Sequence, residues 1–160
     1  GWVLDLSGDG ASRGLWLLPP GDPLIAAEDP AASQAWRQAD LAHGLPRLPA
    51  DQREAWTPQM LSLDRLRAYS LKKGCYPGQE IVSRTHYLGQ AKRGLVRLQA
   101  DPAPPAGTPV RDPQGRELGS VVCTAGNQLL AVLASDAATG DLAAGGLALA
   151  PLGLLNGLAR

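Results

Sequence analysis

Side chains able to take part in chemistry are concentrated in one stretch of the sequence, residues 70–89. Thiol, amine, amide, carboxylate, guanidinium, imidazole and phenol groups all fall within it. They belong to Lys72, Lys73, Cys75, Tyr76, Gln79, Glu80, Arg84 and His86. A thiol among cations suits nucleophilic or redox chemistry, and the cations also suit an anionic ligand.

Cys75 is the candidate nucleophile, and its setting follows from the residues around it. Gly74 and Gly78 predict a turn, and the apolar residues after it recur at helical spacing. We therefore predict a short helix over 78–88, followed by Gly89 as the capping residue. A helix start and two preceding lysines both favour a thiolate. A small, buried and inert cysteine is the alternative that these residues leave open.

Two further pairings are predicted around that helix. Glu80 and Arg84 lie four residues apart with the acid first, so they should pair on one helix face. Glu80 also lies in the first turn, where the helix dipole favours an anion. Cys75 and His86 flank the helix start, which leaves a cysteine–histidine hydrolase as an alternative, although no third group orients that pair.

Composition bounds the classes of function. The 160 residues include 15 basic and 15 acidic ones, so no net charge calls for nucleic acid. Within 65–97, however, eight basic residues accompany a single acid, Glu80. This local excess predicts either an anion-binding surface or a solvated basic face. Direct RNA binding is not expected, because Tyr76 and Tyr87 stand by themselves and offer no paired stacking platform.

The two cysteines, Cys75 and Cys123, form no C-x-x-C motif. The sequence therefore predicts no disulfide framework and no zinc or iron–sulfur ligand set. Without a secretory signal at its start, the chain is predicted to be cytoplasmic. Residues 142–159 are largely apolar but carry glycines and a proline, which favours a buried strand over a membrane span. The start at Gly1, directly before a predicted strand, suggests that an N-terminal part is missing.

The first half of the chain predicts a β-hairpin followed by a helix. The predicted hairpin strands are 2–6 and 14–18. Asp29 as N-cap and Gly44 as terminator delimit the helix. Its predicted apolar stripe is Ala32, Ala35, Trp36, Ala39 and Ala42. His43 at its carboxyl end is predicted to be favoured as a cation.

The second half predicts a small antiparallel β-barrel, because short strands recur between Gly- and Pro-rich turns. The predicted strands are 95–99, 109–111, 118–124, 128–134 and 147–152. Cys123 lies inside one of them and is predicted to be a core residue. The predicted fold class is α+β, with the tail of a partial α/β domain over 1–64, a signature loop and short helix over 65–90, and the barrel over 91–160.

The stretch from Lys73 to Arg84 resembles a known family. It reads K-G-C-Y-P-G-Q-E and then Arg84, which matches every fixed position of the YgfZ-family signature K-G-C-[FY]-x-G-Q-E-x-x-x-R. Segment 57–64 resembles the approach to this motif in the family. Segment 89–98 resembles the entry into the family's C-terminal barrel.

The resemblance implies a fold and a function. The family is similar to the glycine-cleavage T-protein, which implies the C-terminal part of a three-domain fold around a folate-binding channel. It implies a folate-binding accessory protein, using tetrahydrofolate or a derivative, that supports synthesis or repair of iron–sulfur clusters in client enzymes, including tRNA-modifying ones. A tetrahydrofolate-dependent aminomethyltransferase is the alternative.

The same resemblance implies roles for individual residues. Those it assigns to catalysis are Cys75 and Lys73, with Cys75 as the key thiol. Those it assigns to folate binding are Tyr76, Gln79, Glu80 and Arg84. The carboxylates of the folate's glutamate tail would meet the basic run over 65–97.

Overall fold

The computed structural model describes residues 1–89, 92–137 and 140–158. Its elements are strands β1 (Trp2–Asp5) and β2 (Gly14–Leu17), helices α1 (Pro30–Ala42) and α2 (Gln79–Tyr87), and strands β3 (Arg93–Gln99), β4 (Pro109–Arg111), β5 (Glu117–Ala125), β6 (Gln128–Ala134), β7 (Leu142–Ala144) and β8 (Leu147–Leu152). The strands form a two-stranded sheet and a closed six-stranded barrel. The predicted α+β class, with a small antiparallel barrel at the end, is confirmed.

The predicted hairpin forms from β1 and β2, with Trp2 opposite Leu17 and Leu4 opposite Leu15. Large apolar side chains are exposed on both of its faces, including Trp2 at 74% and Trp16 at 55%. A strand that is apolar on both faces is typical of a sheet interior. The hairpin therefore presents an apolar surface and adds little to the core.

The start of α1 is the predicted one. The Asp29 carboxylate accepts hydrogen bonds from the backbone N–H groups of Ala31 and Ala32, at 2.9 and 3.2 Å, and so satisfies donors that a helix start leaves unpaired. Gly44 follows the helix with φ +70°, a conformation that glycine adopts without strain.

The predicted apolar stripe of α1 is wrong at its N-terminal end, where Ala32 and Ala35 are exposed. Trp36 is half-buried. The buried residues are Asp40, Leu41 and Ala42, in the last turn. Alanines bury little area, so the single leucine decides which part of the helix packs against β5 and β6.

The barrel is antiparallel throughout and closes in the order β3-β6-β5-β4-β7-β8. A two-residue turn at Gly126–Asn127 joins β5 to β6, and φ is +61° at Gly126, as such hairpins require. The main barrel core includes Leu98, Val110, Val121, Leu129, Ala131 and Leu149. The sequence prediction lacked β7, which is a three-residue strand inside the apolar run over 142–159.

A second core cluster attaches the first half of the chain to the barrel. Leu41 of α1 and Leu61 of the following segment pack with Val122, Leu130 and Val132. β5 and β6 are thus buried on both faces, which explains their nearly continuous apolar sequences. This attachment holds segment 54–69 beside the barrel, and α2 packs on that segment.

Candidate functional site

The loop that carries the signature is braced by its own side chains. Tyr76 donates a hydrogen bond from its hydroxyl to the backbone oxygen of Ser70, at 3.2 Å. The side-chain amide of Gln79 donates to the backbone oxygen of Lys73, at 3.3 Å. Cys75 lies between these braces as a free and exposed thiol. The predicted turn is confirmed, and the structure brings Lys73, Cys75, Tyr76 and Gln79 together in it.

The predicted short helix forms as α2, and Gly78 precedes it with φ +85°. Val82 is its buried residue, 4% exposed. The side-chain amide of Gln59 donates to the backbone oxygen of Val82, at 2.8 Å, and so ties α2 to the segment beside the barrel. Ile81 and Leu88 are exposed, so α2 rests on a narrower apolar face than its sequence predicts.

The predicted Glu80–Arg84 pair is confirmed. Arg84 Nη2 lies 2.9 Å from Glu80 Oε1, and both side chains are more than two-thirds exposed. An exposed pair of this kind contributes only about 0.3–0.5 kcal/mol to helix stability. The two side chains face solvent, and neither lines the cavities described below.

Some basic residues of the run over 65–97 are held in hydrogen bonds within the fold, and others are exposed to solvent. Arg65 donates to the backbone oxygens of His43 and Leu155, at 3.2 and 2.8 Å. Arg97 binds Gln128 Oε1 at 2.9 Å and the backbone oxygen of Gly153 at 3.0 Å. Lys72 and Lys73, within the signature loop, are exposed.

A cavity of about 510 Å³ opens between the signature loop and segment 54–69. We call it the signature cavity. The signature contributes Tyr76, Pro77, Gly78, Ile81 and Val82 to its wall, and the segment contributes Trp56, Met60 and Tyr69. The indole N–H of Trp56 donates to Gln52 Oε1 at 2.7 Å, which fixes the ring. Burial raises the pKa of the Tyr69 phenol, and Asp64 and Tyr76 add to the shift.

Trp56, Met60 and Tyr69 were not among the predicted site residues. Met60 lies in segment 57–64, whose resemblance to the approach of the family motif predicts proximity without naming side chains. Trp56 and Tyr69 lie outside that segment. Of the predicted folate-binding residues, Tyr76 lines the signature cavity. Cys75 is absent from the described wall of that cavity and lies at its rim loop.

A cysteine–histidine dyad is not formed by the described residues. His86 lies edge-on to Tyr87, with ring centroids 4.9 Å apart, and no hydrogen bond within residues 1–89 joins it to Cys75. Across the described ranges, no group of three or more His, Cys, Asp or Glu side chains is arranged to hold a metal ion. None of the helices within those ranges is long and apolar enough to cross a membrane.

The prediction that His43 is favoured as a cation at the end of α1 is wrong. Its side chain is 3% exposed, and burial, followed by the charge of Arg13, lowers its pKa below the usual value. The helix dipole favours a cation at this position, but the cost of burying the charged form exceeds that benefit. His43 is therefore a neutral buried residue. Cys123 is buried as predicted.

Residues 92–152 match the family model described as CAF17, C-terminal beta-barrel domain. The match spans β3 to β8, the whole of the closed barrel. The barrel of this chain is therefore similar to the C-terminal domain of CAF17. The match begins after α2, so it does not include the signature loop.

Proposed function

We propose that the chain belongs to the YgfZ/CAF17 family of folate-binding relatives of the T-protein. Its function would be to support synthesis or repair of iron–sulfur clusters in cytoplasmic client enzymes, including tRNA-modifying ones. The observation that carries the proposal is the order of two independent features. The K-G-C-Y-P-G-Q-E…R signature at 73–84 directly precedes the CAF17-type barrel at 92–152.

The signature cavity supports tetrahydrofolate as the cofactor. Its volume of about 510 Å³ lies in the range of small-molecule sites. The rings of Trp56, Tyr69 and Tyr76 offer faces and edges against which a flat pteridine packs. Lys72 and Lys73 are exposed in the loop that also carries Tyr76, and their charges suit the carboxylates of a glutamate tail.

The position of Cys75 supports an accessory role. The thiol is exposed on the rim loop, from which it would reach a client protein's cluster while folate stays in the cavity. An aminomethyltransferase needs an acid–base group beside the folate. Glu80, the carboxylate of the signature, faces solvent in a pair with Arg84, so Glu54 in the cavity wall is the carboxylate that this alternative would have to use.

Calorimetric titration of the intact chain with 5-formyltetrahydrofolate tests the proposal, and we expect saturable binding in the micromolar range. Ile81→Glu places a carboxylate at the cavity wall and should weaken binding at least about tenfold. Ile25→Glu is the matched control, since Ile25 is an equally exposed isoleucine outside the cavity. Absence of saturable binding, or equal losses in both variants, would exclude folate from this cavity.

The role of Cys75 is tested separately from binding. Cys75→Ala should retain the affinity for 5-formyltetrahydrofolate and lose the ability to restore activity of iron–sulfur enzymes in cells lacking the protein. Arg84→Ala should cost no more than about 0.5 kcal/mol of stability, because its ion pair is exposed. Since Arg84 lies outside the cavity wall, a loss of folate affinity in this variant would indicate that the ligand extends beyond the cavity to Arg84. Full complementation by Cys75→Ala would remove the thiol from the proposed function.

A further inference from the structure

A second cavity, of about 530 Å³, lies between the hairpin, α1 and segment 45–68. We call it the arginine cavity. Its charged lining residues are Arg13, Asp40 and Arg47. The apolar part of its wall is formed by Leu6, Leu15, Leu45, Leu66, Leu158 and Trp36. Charge surrounded by leucines needs a specific reason, because burying it is costly.

The three charged residues form a network centred on Asp40. The Asp40 side chain is 4% exposed, and its Oδ1 lies 2.7 Å from Arg13 Nη1. Its Oδ2 accepts from Nη2 and Nε of Arg47, at 2.9 and 3.1 Å. The guanidinium of Arg13 also lies 4.6 Å from the centroid of the Trp36 ring. Both carboxylate oxygens are therefore engaged, and Arg13 is fixed from two sides.

The network contains one more cation than anion. The Arg47 side chain is 57% exposed, and within the described part of the chain its Nη1 makes no hydrogen bond. His43, beside Arg13, adds no charge at neutral pH because burial and Arg13 lower its pKa. An unbalanced cation at the mouth of an apolar cavity attracts anions, and low-dielectric walls strengthen that attraction.

We propose that the arginine cavity binds a monocarboxylate with an apolar body, with its carboxylate on Arg47 and its body against the leucines and Trp36. One negative charge brings the network to neutrality. A phosphate dianion would leave an uncompensated charge between leucines, which disfavours it. The planar guanidinium is also well matched to a carboxylate.

This site differs from the proposed folate site. The signature cavity has an aromatic wall built from the signature loop and its neighbours, whereas the arginine cavity is walled mainly by leucines and one tryptophan. Ala68 lines both, so the two cavities adjoin. The inference rests on the Arg13–Asp40–Arg47 network and stands whether or not folate binds.

Calorimetric titration of the intact chain with decanoate, kept below its micelle concentration, tests the proposal. Wild-type protein should bind it saturably, and Arg47→Gln should weaken the affinity at least about tenfold. Arg37→Gln makes the same charge change on the exposed part of α1 and should leave the affinity within about twofold. Decanol, which lacks the charge, should bind at least about tenfold more weakly than decanoate.

A second variant keeps the test decisive if Arg47→Gln fails to fold. Leu15 is 40% exposed, so Leu15→Glu should fold, and its carboxylate would compete for Arg47 and abolish decanoate binding. Equal affinity for decanoate and decanol, or unchanged binding in the folded variants, would overturn the proposal. Displacement of decanoate by 5-formyltetrahydrofolate would assign the cavity to the folate site instead.

Discussion

Cys75 and Cys123 differ in solvent exposure, and this difference predicts which thiol reacts with an alkylating reagent. Cys75 is exposed, whereas Cys123 is buried in β5, and burial raises the pKa of its thiol. Iodoacetamide should therefore modify one cysteine per folded chain, and peptide mass spectrometry should locate it at Cys75. Cys75→Ser should remain unlabelled until denaturant is added. Similar rates at both cysteines in the folded protein would contradict the assignment.

His43 predicts a pH dependence of stability. Because burial and Arg13 lower its pKa in the folded chain, the unfolded state takes up a proton first as the pH falls. The resulting loss of stability begins below the unfolded value of about 6.5 and continues to the folded pKa. Urea unfolding at pH 7.5 and 5.5 should show a smaller difference in His43→Gln than in wild type.

The second histidine supplies the control for that measurement. His86 is exposed on α2, and His86→Gln should show the same pH dependence of unfolding as wild type. A His43→Gln variant as pH-sensitive as wild type would show that other groups cause the effect. Nothing in the local sequence predicted the lowered pKa of His43, since its main causes are burial in the fold and the charge of Arg13, 30 residues earlier in the chain.

At the scale of elements, replacing the two glycines of the signature loop by alanine should have unequal effects on stability. An added Cβ meets no atom within 4 Å at either Gly74 or Gly78, but only Gly78 has positive φ, at +85°. Gly78→Ala should cost about 1 kcal/mol of stability, whereas Gly74→Ala should be neutral or slightly stabilising. Urea unfolding and hydrogen exchange of the Val82 amide, which bonds to Gly78, measure the effect. Equal costs would contradict a purely backbone origin.

Helices and strands whose ends are marked by capping or turn residues were predictable from the sequence. The Asp29 cap and the strands 109–111, 128–134 and 147–152 all appear where the sequence predicts them. β7 was missed because three residues are too few to show a period. The exposed alanines of α1 mark a second limit, since periodicity predicts a face but not whether a neighbour covers it.

In the candidate site, too, features set by neighbours in sequence were predictable, and features set by tertiary packing were not. The turn, the exposed Glu80–Arg84 pair and the position of Cys75 before α2 depend on neighbours in sequence, and all were predictable. The aromatic wall of Trp56 and Tyr69 depends on how segment 54–69 packs on the barrel, so no local pattern identified it. The role of Arg65 was hidden for the same reason, because its partners lie 22 and 90 residues away.

At the scale of the whole molecule, a few side chains join the first half of the chain to the barrel. Gln52 is 6% exposed and donates from its amide to the backbone oxygen of Val121, at 3.2 Å. Gln38 of α1 reaches the backbone oxygen of Ala125 at 3.5 Å. Together with the shared cluster around Leu41, these bonds predict that α1 and the barrel unfold as one cooperative unit.

Arg65 is the sharpest test of that cooperativity, because it binds the end of α1 and the chain leaving β8 at once. Arg65→Met removes donors to the backbone oxygens of His43 and Leu155 and should destabilise the protein by about 2 kcal/mol. Arg67→Met is the control, since Arg67 is exposed, and should change stability by less than about 0.5 kcal/mol. Urea unfolding followed by hydrogen exchange should show protection lost equally in α1 and in β5. Loss confined to α1 would mean that the barrel holds its fold independently, and the two halves would then have to be treated as separate units.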